Sequence, residues 1–322
     1  MPDDALLTVR DLHVRFYTYS GEVQAIAGVG FDLNRTGTLG LVGETGCGKS
    51  VTAMSILRIL PAKTAEIVRG SICYDGVDLL KLPEREMQKV RGKQISMVFQ
   101  DPQTSLNPTM KIGDQIREAI RLHWNTNRKA MQKRVLEALQ SVELPDQERI
   151  AKSYPIQLSG GMAQRCMIAM AMSCDPSLLI LDEPTTALDV TIQAQIFDLL
   201  RHLQSRTGLT LLLITHDLGA VWDMCDDVAV MYAGNVVEIA ARSRIFMENY
   251  HPYTKALLGA LPDIADVGAP LRTLPGNVPN LVEPPSGCRF HPRCPCAMDI
   301  CGREIPRLRY VEERHAVACH LA

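Results

Sequence analysis

The octapeptide GETGCGKS at positions 43–50 is the sequence feature that most constrains what this chain can fold into. It fits the pattern G-x-x-x-x-G-K-[ST] at every fixed position. The apolar residues 38–42 before it predict a short strand, and residues 51–60 after it predict a helix. Glycines let backbone N–H groups curl around a phosphate, and a helix N-terminus adds a partial positive charge. The stretch is therefore predicted to be a phosphate-binding loop (P-loop), with a chance glycine-rich turn as the alternative.

The P-loop pattern also assigns roles to individual residues. Lys49 is predicted to reach the β- and γ-phosphates of ATP and to act in catalysis, and Ser50 is predicted to hold Mg²⁺. The predicted nucleotide contacts in this stretch are Gly43, Glu44, Thr45, Gly46, Cys47, Gly48, Lys49, Ser50 and Val51.

The overall composition narrows the class of protein. A chain of 322 residues predicts one large and one small domain. A net charge of −2 does not favour nucleic acid as the main partner, since nucleic-acid-binding proteins usually carry an excess of basic residues. The N-terminus carries acids where a signal peptide needs Lys or Arg, and no apolar run approaches the span of about 18 residues that crosses a membrane. We therefore expect a cytoplasmic protein whose cysteines are mostly thiols or metal ligands.

Strand and helix patterns predict an α/β fold. Residues 6–16 and 23–33 show the alternation of two antiparallel strands. The apolar strands 175–183 and 209–215 flank an amphipathic helix at 192–203. Such continuous apolar strands are typical of a mostly parallel sheet that is covered on both faces. The prediction is a P-loop ATPase core with an additional antiparallel β subdomain.

Two further segments complete this prediction. Apolar residues recur at helical spacing between about 102 and 170, which predicts a helical subdomain within the core. Residues 228–238 predict a β-hairpin with Gly234-Asn235 at its turn.

An acidic pair ends the strand at 175–183. A buried strand can deliver such acids beside bound phosphates, where Asp182 would orient the Mg²⁺ shell and Glu183 would polarise the attacking water. The alternative is an acidic pair that only caps a helix.

A second glycine-rich stretch precedes the helix that begins near residue 163. Ser159, Gly160 and Gly161 at a helix N-terminus make another anion site. Since the P-loop already cradles one phosphate group, a second site suggests that each nucleotide is held between two subunits. The alternative is a helix cap alone.

Single side chains at strand ends offer weaker signals. Gln100 could bind Mg²⁺ or water, and His216 could contact the γ-phosphate, although each could instead be structural. An aromatic residue at the first strand break could stack on adenine. Phe16 is the choice by register, with Tyr17 and Tyr19 as alternatives.

Taken together and in order, these motifs resemble the ATP-binding cassette (ABC) family over about residues 5–245. The family's D-loop corresponds to 187–189, and Met162 departs from the usual Gln of its signature motif. Because serine and glycine backbone atoms do most of the phosphate binding there, we expect activity to survive this change. The resemblance implies that two cassettes close head-to-tail over two ATPs. Hydrolysis then needs Lys49 and Glu183 from one cassette and Ser159 from the other.

Longer segments resemble the peptide/nickel importer family, and within it the D-subunit type of dipeptide and oligopeptide transport ATPase. These segments are 98–108, 183–195, 251–254 and 260–262. The resemblance implies a second homologous ATPase subunit, two transmembrane permeases and an extracytoplasmic substrate-binding protein. It also implies a peripheral location on the cytoplasmic face of the cell membrane.

Other functions remain as alternatives. A nickel or other small-solute importer of the same family is the first. A soluble ABC ATPase acting on ribosomes or DNA is the second, but such proteins carry two cassettes in one chain or long heptad coiled coils, and neither pattern occurs here.

The composition changes after residue 245, which predicts an ABC nucleotide-binding domain at 1–245 and a loop-rich C-terminal region at 246–322. Four thiolates in this tail could hold a [4Fe–4S] cluster or Zn²⁺, with free thiols or disulfides as the remaining alternative. The absence of short C-x₂-C pairs mildly favours iron–sulfur. The candidate ligands are Cys288, Cys294, Cys301 and Cys319.

The family resemblance supports that ligand set. The resembled subfamily has a C-terminal cluster with Gly-Cys, Arg-Cys-Pro and His-x-x-x-Cys, which match 287–288, 293–295 and 315–319. Cys296 has no place in this pattern and is the spare thiol. The implied role is structural stapling of a tail that folds separately from the core around Lys49.

Overall fold

The computed structural model describes residues 4–186, 188–260, 274 and 276–322. Parts of two predicted motifs lie outside these residues, namely Ala187 of the motif at 187–189 and positions 261–262 of the motif at 260–262. Every predicted site residue lies within them.

The described residues form strands whose bounds in chain order are β1 (Ala5–Thr18), β2 (Gly21–Asn34), β3 (Thr38–Val42), β4 (Ala65–Tyr74), β5 (Val77–Asp78), β6 (Ile95–Val98), β7 (Leu178–Asp182), β8 (Thr210–Thr215), β9 (Asp227–Tyr232), β10 (Asn235–Ala241), β11 (Arg309–Glu312) and β12 (His315–Val317).

The α-helices of the same part of the chain are α1 (Lys49–Ile56), α2 (Glu84–Val90), α3 (Pro102–Ser105), α4 (Ile112–His123), α5 (Arg128–Ser141), α6 (Gln147–Lys152), α7 (Gly160–Met172), α8 (Val190–Thr207), α9 (Leu218–Met224), α10 (Arg242–Met247) and α11 (Pro252–Leu258).

The chain divides into two compact units. Unit 1 comprises the described residues within 1–34, 38–80 and 214–322, and unit 2 comprises 35–37 and 81–213. The P-loop and the C-terminal tail both lie in unit 1, whereas the helical segment and the acidic pair lie in unit 2.

Unit 1 contains an antiparallel sheet with strand order β2-β1-β4-β5. The long strands β1 and β2 pair from Leu7↔Leu33 to Thr18↔Gly21, with β-bulges that bend the ribbon. Alternating side chains such as Leu12 and Val14 are fully buried, which explains the period-two pattern in the sequence. The prediction of two antiparallel strands at the N-terminus is confirmed.

A second group of strands in unit 1 has the order β11-β12-β10-β9-β3. The strand β3, which leads into the P-loop, is buried along its whole length and runs parallel to β9 from Leu39↔Asp227 to Val42↔Val230. The tail strand β12 pairs antiparallel with β10 through Glu238↔Val317 and Ile239↔Ala316. The C-terminal tail therefore extends the strands that carry the P-loop.

The hairpin between β9 and β10 turns one residue earlier than predicted. Asn235 pairs with Tyr232, so the turn residues are Ala233 and Gly234 rather than Gly234-Asn235. Both have positive φ, 46° and 84°, as a two-residue type I′ hairpin turn requires. Since alanine is rarely placed at positive φ, the sequence pattern favoured the wrong pair.

Helix α1 is shorter than the predicted 51–60. It begins at Lys49, ends at Ile56 and is capped by Leu57. Arg58 has a left-handed φ of 52°, which is incompatible with continuing the helix and explains the early end.

Unit 2 contains strands in the order β8-β7-β6, of which β8 contributes residues 210–213. The strands β6 and β7 are parallel and pair from Ile95↔Leu178 to Val98↔Leu181. Every residue of β7 is buried, as the continuous apolar pattern predicted. This pairing brings the ends of both strands, and the polar residues that follow them, to the same edge.

The helical segment of unit 2 buries the residues that recur at helical spacing. Ile112, Ile116 and Ile120 of α4 and Val135 and Leu139 of α5 are each no more than 1% exposed. The predicted helical character of this segment is therefore confirmed. No helix of the described residues is both long and apolar enough to span a bilayer.

Candidate nucleotide-binding site and cysteine-rich tail

The P-loop connects β3 to α1 within unit 1, and two of its glycines have no substitute. Gly43 has φ of 152°, and a Cβ there would lie 2.1 Å from the carbonyl oxygen of Met231. Gly48 has φ of 106°, and its Cβ would lie 2.6 Å from Ile26 Cδ1. Gly234 donates its N–H to the Cys47 carbonyl at 2.9 Å, so the β9–β10 hairpin also supports the loop from behind. The sequence can form this loop because only glycine fits against β9 at position 43 and against β2 at position 48.

Lys49 is held inside the curve of the loop. Its Nζ donates to the carbonyl oxygens of Gly43 at 2.7 Å and Glu44 at 3.1 Å, and the residue is 5% exposed. Cys47 lies behind it, where burial raises the pKa of the thiol and keeps it neutral. A single ammonium group at the centre of a glycine-rich turn is suited to bind phosphate oxygens.

Glu44 is held by two residues of the C-terminal tail. Its carboxylate accepts hydrogen bonds from Arg293 Nη1 at 3.0 and 3.2 Å, and its backbone N–H donates to Tyr253 Oη at 3.0 Å. Sequence reasoning missed both contacts, since Arg293 and Tyr253 appeared only as members of family motifs. The P-loop and the tail lie in one compact unit, and the separate folding of the tail stays a prediction.

The other predicted site residues of unit 1 lie near the ends of β1 and β8. His216 is exposed directly after β8. Phe16 is half-buried in β1, whereas its alternative Tyr19 is fully exposed. The hydroxyl of Tyr17 donates to Glu66 at 2.7 Å, so this ring is tied to the sheet. The adenine-stacking role of Phe16 stays a prediction.

Unit 2 brings Gln100 and Glu183 together. Gln100 Nε2 donates to Glu183 Oε2 at 2.9 Å, because the parallel strands β6 and β7 end side by side. Thr186 Oγ1 donates to the same carboxylate oxygen at 3.1 Å, a contact that sequence reasoning missed. Glu183 has φ of 47°, a costly conformation for a non-glycine residue that tends to occur at functional sites. The preceding Asp182 is 8% exposed.

Ser159 lies at the N-terminus of α7. It is exposed, and its Oγ accepts a hydrogen bond from the Met162 N–H at 3.4 Å. Gly161 approaches Ile192 so closely that a Cβ would lie 2.7 Å from Ile192 Cγ2. The stretch is thus a helix cap within this chain, and Ser159 and Gly160 still present their polar groups to the outside.

The tail cysteines are neighbours in unit 1. The pKa of Cys288 is raised to about 11, chiefly by burial and to a smaller extent by the nearby Cys301 and Cys319. Burial likewise raises the pKa of Cys294, with added influence from Cys296, Cys319 and Cys301. Cys301 Sγ accepts a hydrogen bond from the Met298 N–H at 3.5 Å. Of the four candidate ligands Cys301 is buried, whereas Cys288, Cys294 and Cys319 are half-buried.

The geometry does not support the predicted metal set. Within residues 4–186, 188–260, 274 and 276–322, no group of three or more His, Cys, Asp or Glu side chains is placed to hold a metal ion. The [4Fe–4S] cluster predicted on Cys288, Cys294, Cys301 and Cys319, and its Zn²⁺ alternative, therefore lack a preformed site there.

A buried contact between a histidine and a glutamate links the tail to β10. His315 Nε2 lies 2.8 Å from Glu238 Oε1, and both side chains are 0% exposed. The Glu238 carboxylate also accepts the backbone N–H groups of Tyr250 and His251 at 2.7 and 3.0 Å. His315 of the predicted His-x-x-x-Cys motif thus joins β12 to β10 and to the start of α11.

Comparisons with known proteins agree with this architecture. A family model described as ABC transporter matches residues 26–186, and one described as oligopeptide/dipeptide transporter, C-terminal region, matches residues 237–301. A solved dimeric structure of a bacterial ABC transporter cassette has a TM-score of 0.66 at 25% identity, covering 73% of this chain and 98% of that chain. The class of protein is therefore the ATP-binding cassette ATPases.

Curated relatives define the family within that class. The dipeptide transport ATP-binding protein DppD of Bacillus subtilis is 49% identical over 318 residues, which is 99% of this chain and 95% of the relative. The oligopeptide transport ATP-binding protein OppD of Salmonella typhimurium is 47% identical over 305 residues, with coverage of 95% and 90%. The chain belongs to the family of ATP-binding subunits of dipeptide and oligopeptide ABC transporters. The resemblance seen in the sequence motifs is confirmed.

Proposed function

We propose that this chain binds Mg²⁺ and ATP at residues 43–50 and hydrolyses the ATP to drive the import of dipeptides or oligopeptides. The observation that carries the proposal is the P-loop geometry, with Lys49 held at its centre by two carbonyl groups. The family membership of the whole chain supports the peptide class of substrate. A nickel or other small-solute substrate is the alternative that the experiment below addresses.

The residues of the loop bind the nucleotide in this proposal. Lys49 exchanges its hydrogen bonds with loop carbonyls for bonds to the β- and γ-phosphates, and backbone N–H groups of the loop add further donors. Ser50 holds Mg²⁺ and Asp182 orients its hydration shell. Phe16 stacks on the adenine ring.

Glu183 activates water in this proposal. A carboxylate accepts a hydrogen bond from the attacking water and draws off its proton as the phosphorus–oxygen bond forms. The amide of Gln100 and the hydroxyl of Thr186 support this role, because both fix the Glu183 carboxylate without neutralising it. Gln100 also serves as a ligand of Mg²⁺ or water, and His216 contacts the γ-phosphate.

Ser159, Gly160 and Gly161 serve the nucleotide of a neighbouring subunit in this proposal. The exposure of Ser159 at the N-terminus of a 13-residue helix supports it, since an exposed helix start can receive an anion from another molecule. The neighbour is a second homologous ABC ATPase, so that the pair is a heterodimer. Two transmembrane permeases and an extracytoplasmic substrate-binding protein complete the importer. The chain then lies on the cytoplasmic face of the cell membrane as a peripheral subunit.

A [4Fe–4S] cluster in the tail is the proposed structural cofactor, with Zn²⁺ as the alternative. The match of the tail cysteines to the subfamily pattern supports it, as does the N–H donor to Cys301 Sγ, because hydrogen bonds to the sulfurs tune such clusters. Cys288, Cys294, Cys301 and Cys319 are the proposed ligands. The cluster would cross-link a region with little core of its own. The division into a nucleotide-binding domain at 1–245, with its helical subdomain at about 102–170, and a C-terminal region at 246–322 also stays a prediction.

Growth on peptides tests the function. A strain that lacks this gene and requires one amino acid should regain growth on dipeptides or oligopeptides containing it when the wild-type chain is supplied, but not with Lys49→Ala. Lys133→Ala, an exposed residue of α5, is the matched control and should restore growth. Restored nickel uptake without restored peptide use would overturn the peptide assignment.

A further inference from the structure

One nearly buried arginine of the tail faces the P-loop. The Arg293 side chain is 8% exposed, and its Nη1 donates to both carboxylate oxygens of Glu44 at 3.0 and 3.2 Å. The same nitrogen lies 3.3 Å from Tyr232 Oη, and the guanidinium carbon lies 5.7 Å from the centre of the Tyr232 ring. Arg293 thus occupies a fixed position between the loop and β9.

An aromatic cluster fixes the other half of the contact. Tyr253 is fully buried and packs against Tyr232 and Phe290, with ring centres 4.7 and 5.5 Å away. Burial raises the pKa of Tyr253, so its hydroxyl stays neutral while Oη accepts the Glu44 N–H. The side chain and the backbone of one P-loop residue are therefore both held by residues of the tail.

The charge of Glu44 explains why this contact matters for nucleotide binding. Glu44 is the first variable residue of a loop whose backbone and lysine attract phosphate. An uncompensated carboxylate in that loop would repel the phosphates, and solvent would screen only part of this repulsion because the Glu44 side chain is 29% exposed. Arg293 neutralises the carboxylate and leaves Lys49 as the unopposed charge facing the nucleotide.

We propose that Arg293 is a positioning residue of the ATP site, which neutralises Glu44 and thereby lets the cysteine-rich tail set the affinity for nucleotide. Arg293 acts through Glu44 and not by touching ATP. Because Arg293 precedes Cys294 directly, a change in the tail backbone at the cysteine reaches the P-loop through a single side chain. The inference rests on the proposed ATP binding at residues 43–50.

Binding of Mg²⁺ with the non-hydrolysable analogue AMP-PNP to the full-length chain tests this inference by calorimetry. Arg293→Met should raise Kd by about fivefold or more, a typical coupling between linked sites. Arg293→Lys should recover part of the affinity because it keeps the charge. Glu44→Gln removes the part of the carboxylate charge that Arg293 does not offset and should lower Kd. In the double variant Glu44→Gln/Arg293→Met, the loss of Arg293 should change Kd by less than about twofold relative to Glu44→Gln alone.

Two controls distinguish a specific effect of Arg293 on the P-loop from the loss of any tail arginine and from an error in the P-loop proposal itself. Arg314→Met removes another tail arginine, whose partner Asp227 lies outside the P-loop, and should bind AMP-PNP like the wild type. Lys49→Ala should abolish binding. If wild type and Lys49→Ala bind alike, the P-loop proposal itself is wrong.

If Lys49→Ala fails to bind but Arg293→Met binds as tightly as wild type, only the present inference is overturned. It is also overturned if the Arg293→Met loss persists in the Glu44→Gln background, since the arginine would then act through general structure. Even if Arg293→Met does not fold, Glu44→Gln shows whether the charge of Glu44 weakens or strengthens nucleotide binding. Weaker binding by Glu44→Gln would contradict the repulsion on which the inference depends.

Discussion

Gln100 donates its side-chain amide to the Glu183 carboxylate, with 2.9 Å between Nε2 and Oε2. The two residues are 83 positions apart in the sequence and meet because β6 and β7 run parallel and end together. The amide orients one carboxylate oxygen of the residue that we propose as the general base. The link also ties the proposed base to the segment between β6 and α3.

Glu183→Gln should abolish turnover while nucleotide still binds. The amide keeps the size of the side chain but cannot accept the proton of water, so phosphate release should fall by about 10²-fold or more. Phosphate release by the assembled transporter measures this effect. Glu137→Gln, an exposed acid of α5, is the control and should leave the rate unchanged. Near-normal hydrolysis by Glu183→Gln would contradict the assigned role.

Tyr253→Phe should lower the free energy of unfolding. It removes the acceptor of the Glu44 N–H and leaves that donor without its partner, a loss of about 1–3 kcal/mol. Urea unfolding at neutral pH measures the change. Tyr250→Phe is the matched control, since its hydroxyl bonds to Glu312 at the surface and should matter less. Equal effects of the two substitutions would count against the tight contact between tail and P-loop.

His251 should make stability depend on pH. Burial lowers its pKa from 6.5 to about 4, while its Nδ1 accepts the Tyr253 N–H at 3.0 Å. The unfolded chain therefore binds a proton more readily than the folded chain. The contribution of neutral His251 to the free energy of unfolding is complete above pH 6.5 and is lost as the pH falls toward 4. Between pH 7 and pH 5 the wild type should lose about 2 kcal/mol more than His251→Asn, whose side chain can still accept the bond.

Urea unfolding at the two pH values checks this expectation. His202→Asn, at an exposed position of α8, should retain the wild-type pH dependence. If His251→Asn and wild type show the same loss of stability, His251 is not held neutral in the folded protein.

Local patterns predicted much of this structure. The P-loop, the strand β7 and the apolar faces of α4 and α5 follow from short-range glycine spacing and periodicity, and the structure confirms them. The proximity of Gln100 and Glu183 could be expected from the sequence, because each follows a strand and the ends of neighbouring parallel strands share one edge of a sheet.

The contacts of Glu44 could not be predicted in that way. Arg293 lies 249 residues from Glu44, and no pattern near either residue marks the pair. The hairpin turn was predicted one residue too late because Ala233 has a positive φ, which alanine rarely adopts. The spacing of the tail cysteines likewise gave candidate ligands but not their geometry, which depends on how buried thiols and backbone donors pack.

Iron content tests the proposed cofactor of the tail. Protein purified without oxygen should contain about four iron atoms per chain. Serine at position 288, 294, 301 or 319 should lose the iron, whereas Cys296→Ser, which changes an exposed thiol outside the proposed set, should retain it. Elemental analysis decides the outcome, since one zinc and no iron would contradict the cluster, and iron loss confined to Cys296→Ser would contradict the ligand set.

Peptide uptake by the whole transporter tests the central claim most directly. The complete importer is reconstituted into proteoliposomes with ATP on the side of this subunit, and uptake of a labelled dipeptide or oligopeptide is measured together with phosphate release. We predict uptake that requires ATP and is lost, together with hydrolysis, when this chain carries Glu183→Gln. Peptide uptake that continues at the wild-type rate with Glu183→Gln would contradict the claim that ATP hydrolysis by this chain drives import.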